Sequence, residues 1–153
     1  MELKSMLLPE KRVTFDFPGC EGFAIDLCFL SRESNQALLK KCQKTTIDPK
    51  TRQPREEFDD ELFLELYVKS IIKGWKGLKL KYLKELVLAE IPEGQEEEEL
   101  EYSDSNALDL MKNSNILDGW VAEMVKDLTN FTQSNSTKKS KKSKVTSKNQ
   151  DQD

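Results

Sequence analysis

Cysteine is the residue type in this chain most able to do chemistry, and it occurs at Cys20, Cys28 and Cys42. Closely spaced thiolates can hold zinc or form a redox couple. These three form no Cys-x-x-Cys pair, and the chain has no histidine. The spacing argues against a zinc cluster or a redox pair, and the missing histidine excludes His-bearing triads and metal sites. Reduced thiols packed as small apolar side chains are the reading that remains. Carboxylates come next. Asp59 and Asp60 adjoin, but they open a helix, where acids are favoured by the backbone dipole. No GxGxxG or GxxxxGK[ST] loop offers a phosphate cradle. The sequence therefore assigns no catalytic, cofactor-binding or metal residue, and a non-enzyme is expected.

Charge narrows the partners. The chain has 153 residues and a net charge of −4. From Thr137 onward six lysines stand against two aspartates, so that segment carries +4 and the remainder −8. An acidic body is not the basic face that a nucleic-acid-binding domain presents. The lysine tail could release counterions from a polynucleotide, yet it holds no aromatic to stack on bases. A nucleic-acid-associated regulator thus rests on the tail alone. No apolar run approaches the roughly 20 residues that span a bilayer, so no membrane role is expected.

The elements follow from periodicity. Val13, Phe15 and Phe17 share one face of a short strand, and Phe23, Ile25, Leu27 and Phe29 share one face of a second. Pro18, Gly19 and Gly22 between them predict an antiparallel hairpin. Ser31 is the N-cap of a helix expected to reach about Lys44, with Leu38, Leu39 and Cys42 inward. A basic loop is expected over 45–54. A helix from Glu57 to about Lys73 then carries two apolar stripes. One is Leu64, Val68, Ile71, Ile72 and Trp75. The other, Phe58, Leu62 and Leu66, is a candidate protein-contact surface. Gly74 and Gly77 are expected to end this helix with a left-handed cap.

A further helix is expected over 78–89. The run Glu96 to Glu99 with Glu101 holds no base, and predicts a mobile acidic loop over about 92–101. Ser103 caps the next helix. A last helix over about 116–131 places Leu117, Trp120, Val121, Met124, Leu128 and Phe131 on one stripe. Trp75, Trp120, Met124, Leu128 and Phe131 are the expected core. Residues 133–153 hold almost nothing apolar and are expected to be a disordered Lys-rich tail. The fold class is α+β, mainly α: an N-terminal hairpin on a bundle of four to five helices. Residues 1–12 are an extension and 13–132 the folded domain.

Four pieces, in order, resemble the tail assembly chaperones of long-tailed bacteriophages. They are a strand leading into a serine-started helix, Ile25-Asp26-Leu27-Cys28-Phe29-Leu30-Ser31; a Trp-x-Gly turn, Gly74-Trp75-Lys76-Gly77; an aromatic-hydroxyl step into an Asn-Ala-Leu helix, Tyr102-Ser103-Asp104-Ser105-Asn106-Ala107-Leu108; and a helix closing on Phe131. The resemblance covers about residues 13–131. It implies a non-enzymatic protein of the host cell cytoplasm that coats the tape measure protein, keeps it soluble during tail tube assembly, and is absent from the mature virion. Independently of the resemblance, the two apolar stripes on the helix from Glu57 to Lys73 predict self-association into curved or open helical oligomers. In that family a ribosomal frameshift often appends a second domain thought to recruit the major tail protein, and the Lys138-Lys139 and Lys141-Lys142 pairs could be encoded by slippery adenine runs. The stripe of Phe58, Leu62 and Leu66 would face the tape measure or the next subunit. The competing reading is a small structural virion or head-tail adaptor protein, which would be retained in purified particles.

Overall fold

The computed structural model describes residues 1–8 and 10–132, together with the backbone of 137–139. The architecture is α+β: among the described residues, six α-helices and two small sheets. The expected hairpin is present. Strand β1 (Arg12–Asp16) pairs antiparallel with β2 (Ala24–Cys28), with Phe15 opposite Ile25 and Val13 opposite Leu27. Alternation puts these four side chains on one face, and all are buried. Helix α1 (Arg32–Lys41) starts at Ser31, whose Oγ accepts the Ser34 N–H at 3.1 Å.

Two segments depart from the expected organisation. The basic loop over 45–54 is instead the tip of a second hairpin. Strand β3 (Gln43–Ile47) pairs antiparallel with β4 (Pro54–Phe58). Its six-residue turn closes through the Arg52 N–H to the Asp48 carbonyl at 2.7 Å, with Arg52 left-handed at φ 59°. Both faces are largely open to solvent, so no alternation of apolar residues announced these strands.

The second departure follows α2 (Asp60–Ile71). This helix does not run to Lys73 and does not end on a glycine. Its C-cap, Ile72, is extended at φ −104°, ψ 118°, and the chain passes directly into strand β5 (Ile72–Lys76). The reason is the free edge of β2, which offers backbone hydrogen bonds to a β-branched and aromatic segment. Strand β5 pairs antiparallel with β2, Trp75 standing opposite Ile25 and Gly74 opposite Asp26. Gly74 is therefore a strand residue of close approach: a Cβ there would lie 3.2 Å from the Asp26 carboxylate. Of these two glycines Gly77 alone is left-handed, at φ 77°, and it ends a strand rather than a helix.

Helix α3 (Leu80–Leu86) is shorter than expected. Helix α4 (Asp104–Asn113) is capped by Ser103, whose Oγ accepts the Asn106 N–H at 3.0 Å. Helix α5 (Asn115–Lys126) is capped by the buried Ser114, whose Oγ accepts the Leu117 N–H at 3.1 Å. Leu117, Trp120, Val121, Met124 and Val125 are its buried side. The helix stops at Asp127, which is extended. The Asp127 carboxylate accepts the N–H and hydroxyl of Thr129 and so starts a separate short helix, α6 (Thr129–Thr132).

The core lies where α5 and α6 meet the apolar face of β1 and β2. The Phe17 and Trp120 rings meet edge to face at 4.9 Å, and Phe131 reaches Phe15 at 5.5 Å and Phe29 at 5.6 Å. The Leu30 N–H donates to the Val125 carbonyl at 3.0 Å, joining strand end to helix end. On the outer edge of β1 the backbone of Thr137–Lys139, β6, pairs in parallel, completing the order β5-β2-β1-β6. The rest of the expected disordered tail, 133–136 and 140–153, lies outside the described residues.

Candidate functional site: an aromatic strip and an acidic strap

The three cysteines are buried and free, and burial raises the pKa of each thiol. Among the described residues no three His, Cys, Asp or Glu side chains gather in a group able to hold a metal, and no helix is long and apolar enough to cross a membrane. Asp59 is occupied structurally. It is the N-cap of α2, accepting the Leu62 N–H at 3.1 Å, and that hydrogen bond, followed by Lys44 at 3.5 Å, holds its carboxyl below the ordinary value.

The candidate contact stripe is assembled differently from the helical wheel on which it was read. Phe58 belongs to β4, one residue before the cap of α2, and is 39% exposed. Leu62 and Leu66 lie on α2, both half-buried, with Leu66 packed against the core. What continues outward from Phe58 is aromatic. The Phe58 ring lies 5.7 Å from Phe63, and Phe63 stacks on Tyr67 at 5.7 Å and 17°. Phe63 and Tyr67 are one helical turn apart, so both rings fall on one side of α2. Burial, then the Asp118 carboxylate, pushes the Tyr67 hydroxyl pKa up. Phe63 and Tyr67 were missed in the sequence, although their four-residue spacing was the signal. The strip from Phe58 through Phe63 to Tyr67 is a partly exposed row of rings at the junction of hairpin and helix, with Phe63 and Tyr67 also packed against the core.

The other candidate residues are dispersed. Trp120, Met124 and Phe131 are buried. Trp75 is half-buried on β5, where its Nε1 donates to the Leu100 carbonyl at 2.9 Å and its ring meets Tyr102 edge to face at 5.2 Å. Leu128 is not core: it is 54% exposed, because the break at Asp127 turns it away from the stripe that α5 buries.

The expected mobile acidic loop is a strap held against α3. Leu80 and Lys81 donate their N–H groups to the carbonyls of Glu98 (2.7 Å) and Glu96 (3.0 Å), and Leu100 donates to Leu78 at 2.8 Å. The Glu97 carboxylate receives Lys81 at 2.8 Å and Lys79 at 2.9 Å. The bases missing from the acid run thus come from the preceding helix start, some 16 residues away. Lys81, then Lys79, holds the Glu97 pKa down at about 2. A depressed acid stabilises above its ordinary value near 4.5, and that contribution is lost as pH falls toward 2. Amide exchange at Leu80 and Lys81 is accordingly expected to accelerate across that window, and to be several-fold faster at neutral pH in Glu97→Gln. Unchanged exchange in the variant would mean that backbone bonds alone hold the strap.

These surfaces bear on what the chain is similar to. A family profile described as YdaY prophage protein matches residues 30–142, more than half of the chain. The chain belongs to the YdaY prophage protein family. The match runs from the start of α1 through the aromatic strip, the strap and the core helices, and it makes the protein phage-related. Comparison with curated proteins and with solved structures returned no match.

Proposed function

We propose that this YdaY-family protein is a tail assembly chaperone that coats the tape measure protein in the host cell cytoplasm and leaves before the virion matures. It acts by binding, not by catalysis. The observation that carries the reading is the aromatic strip Phe58–Phe63–Tyr67, a row of rings at the hairpin–helix junction of a phage-related protein. A tape measure helix exposes apolar stripes before the tube encloses it. Small acidic subunits mask such stripes reversibly, since burying a single aromatic contributes about 1.5–3 kcal/mol.

The test is binding to a helical fragment of the tape measure protein encoded by the same prophage. Phe58→Asp combined with Leu62→Asp is expected to weaken that binding by about tenfold or more, a tenfold loss being about 1.4 kcal/mol. Circular dichroism is expected to show the helices retained. Wild-type protein that ignores the fragment, or a double variant that binds it equally well, would remove the basis for this reading.

A further inference from the structure

The eight residues before Pro9 present Met1, Leu3, Met6, Leu7 and Leu8 to solvent, at exposures from 56% to 106%. Half of the exposed large apolar side chains among the described residues lie in this short arm. Its middle is a single 3-10 turn, Leu3–Met6, with no buried side chain. Scattered apolar residues are ordinary on a surface, but five in one segment are not.

The same molecule carries a groove. Where α3 turns past α4, an open groove of about 320 Å³ is lined by five apolar residues, among them Leu83, Val87 and Leu88, and by the polar Asn106, Asp109 and Asn113. Leu88 stands at its lip, wholly exposed. The volume falls at the low end of pockets that take apolar ligands, roughly 300–1,000 Å³. It suits one turn of aliphatic side chains. The charged side chains of the arm are Glu2 and Lys4, and of these Lys4 complements Asp109, the charged side chain lining the groove.

We propose that the arm of one copy docks in the α3–α4 groove of a second copy, Leu7 and Leu8 entering the cavity and Lys4 facing Asp109. Arm and groove are different surfaces, so the contact is head-to-tail. Such contacts propagate into open chains unless the rotation happens to close a ring. This inference concerns the contact between copies, and it stands apart from what the aromatic strip binds.

The test uses the full chain alone. Wild type is expected to grow in mass with concentration in sedimentation velocity. Leu7→Asp with Leu8→Asp, and separately Leu88→Asp, are each expected to remain at the mass of one chain. All three side chains are exposed, so neither variant should disturb folding. The decisive sample is the mixture: arm variant and groove variant together retain one intact arm and one intact groove. They are expected to form a one-to-one pair that grows no further. A wild type that stays monomeric at high concentration, an arm variant that still assembles, or a mixture that forms no pair would each overturn the proposal.

Discussion

Replacing Gly77 by alanine is expected to destabilise the protein by roughly 2–5 kcal/mol, from left-handed backbone strain and from overpacking. Gly77 sits at φ 77° between β5 and α3. The left-handed conformation alone costs an L-residue about 1–2 kcal/mol. A Cβ at this position would also fall 1.9 Å from the Gly22 carbonyl oxygen and 2.7 Å from its carbon. Those are backbone atoms in the β1–β2 connection, where Phe17 and Phe23 bond at 2.9 Å and Phe23 reaches Cys20 at 3.0 Å. The turn has little room to yield. Gly19 separates the two causes, since it is left-handed at φ 90° with nothing within 4 Å of an added Cβ. Gly19→Ala is expected to show the conformational cost alone. Equal denaturant midpoints for the two variants would mean that the Gly22–Gly77 crossing is looser than the geometry has it.

That crossing also marks where sequence reading stopped short. The β1–β2 hairpin was legible because large apolar residues alternate with polar or small ones: Val13, Phe15, Ile25 and Leu27 share one face, and Thr14, Ala24, Asp26 and Cys28 the other. The serine caps at Ser31 and Ser103 were legible because capping is local chemistry. Strand β5 was not, because nothing local separates a helix that ends from a helix that hands its chain to a sheet edge. Gly74 read as a cap, while its reason is Asp26, on a strand far back in the chain. The acidic strap failed for the same cause: its counter-charges, Lys79 and Lys81, are remote in sequence.

The aromatic row was half legible. Phasing a helical wheel from Glu57 placed Phe58 on the same helix as Leu62 and Leu66. With the cap at Asp59, Phe58 leaves the helix and meets Phe63 instead. The side chains that extend the row, Phe63 and Tyr67, depend on where the helix begins.

Trp120→Ala is expected to cost about 3–5 kcal/mol, as large-to-small changes of buried aromatics do. Trp120 is 9% exposed and packs edge to face on Phe17 at 4.9 Å, so truncation opens a cavity between α5 and the hairpin. Domains of this size are stable by roughly 5–15 kcal/mol, so the change removes a large share of the total. The informative comparison is Leu128→Ala. A single helix over 116–131 would place Leu128 on the same buried stripe, where its loss would cost about 2–5 kcal/mol. The break at Asp127 leaves Leu128 54% exposed, and the expected cost falls to roughly 0.5 kcal/mol or less, as for surface positions generally. Phe131 remains buried only because α6, started by the Asp127 carboxylate, carries it back onto Phe15 and Phe29. Asp127→Ala should therefore act through Phe131, loosening a residue four positions away while leaving Trp120 in place. Denaturant titrations of the three variants order the effects: Trp120 largest, Asp127 intermediate, Leu128 near zero. A Leu128 cost approaching that of Trp120 would restore the continuous helix and remove the break.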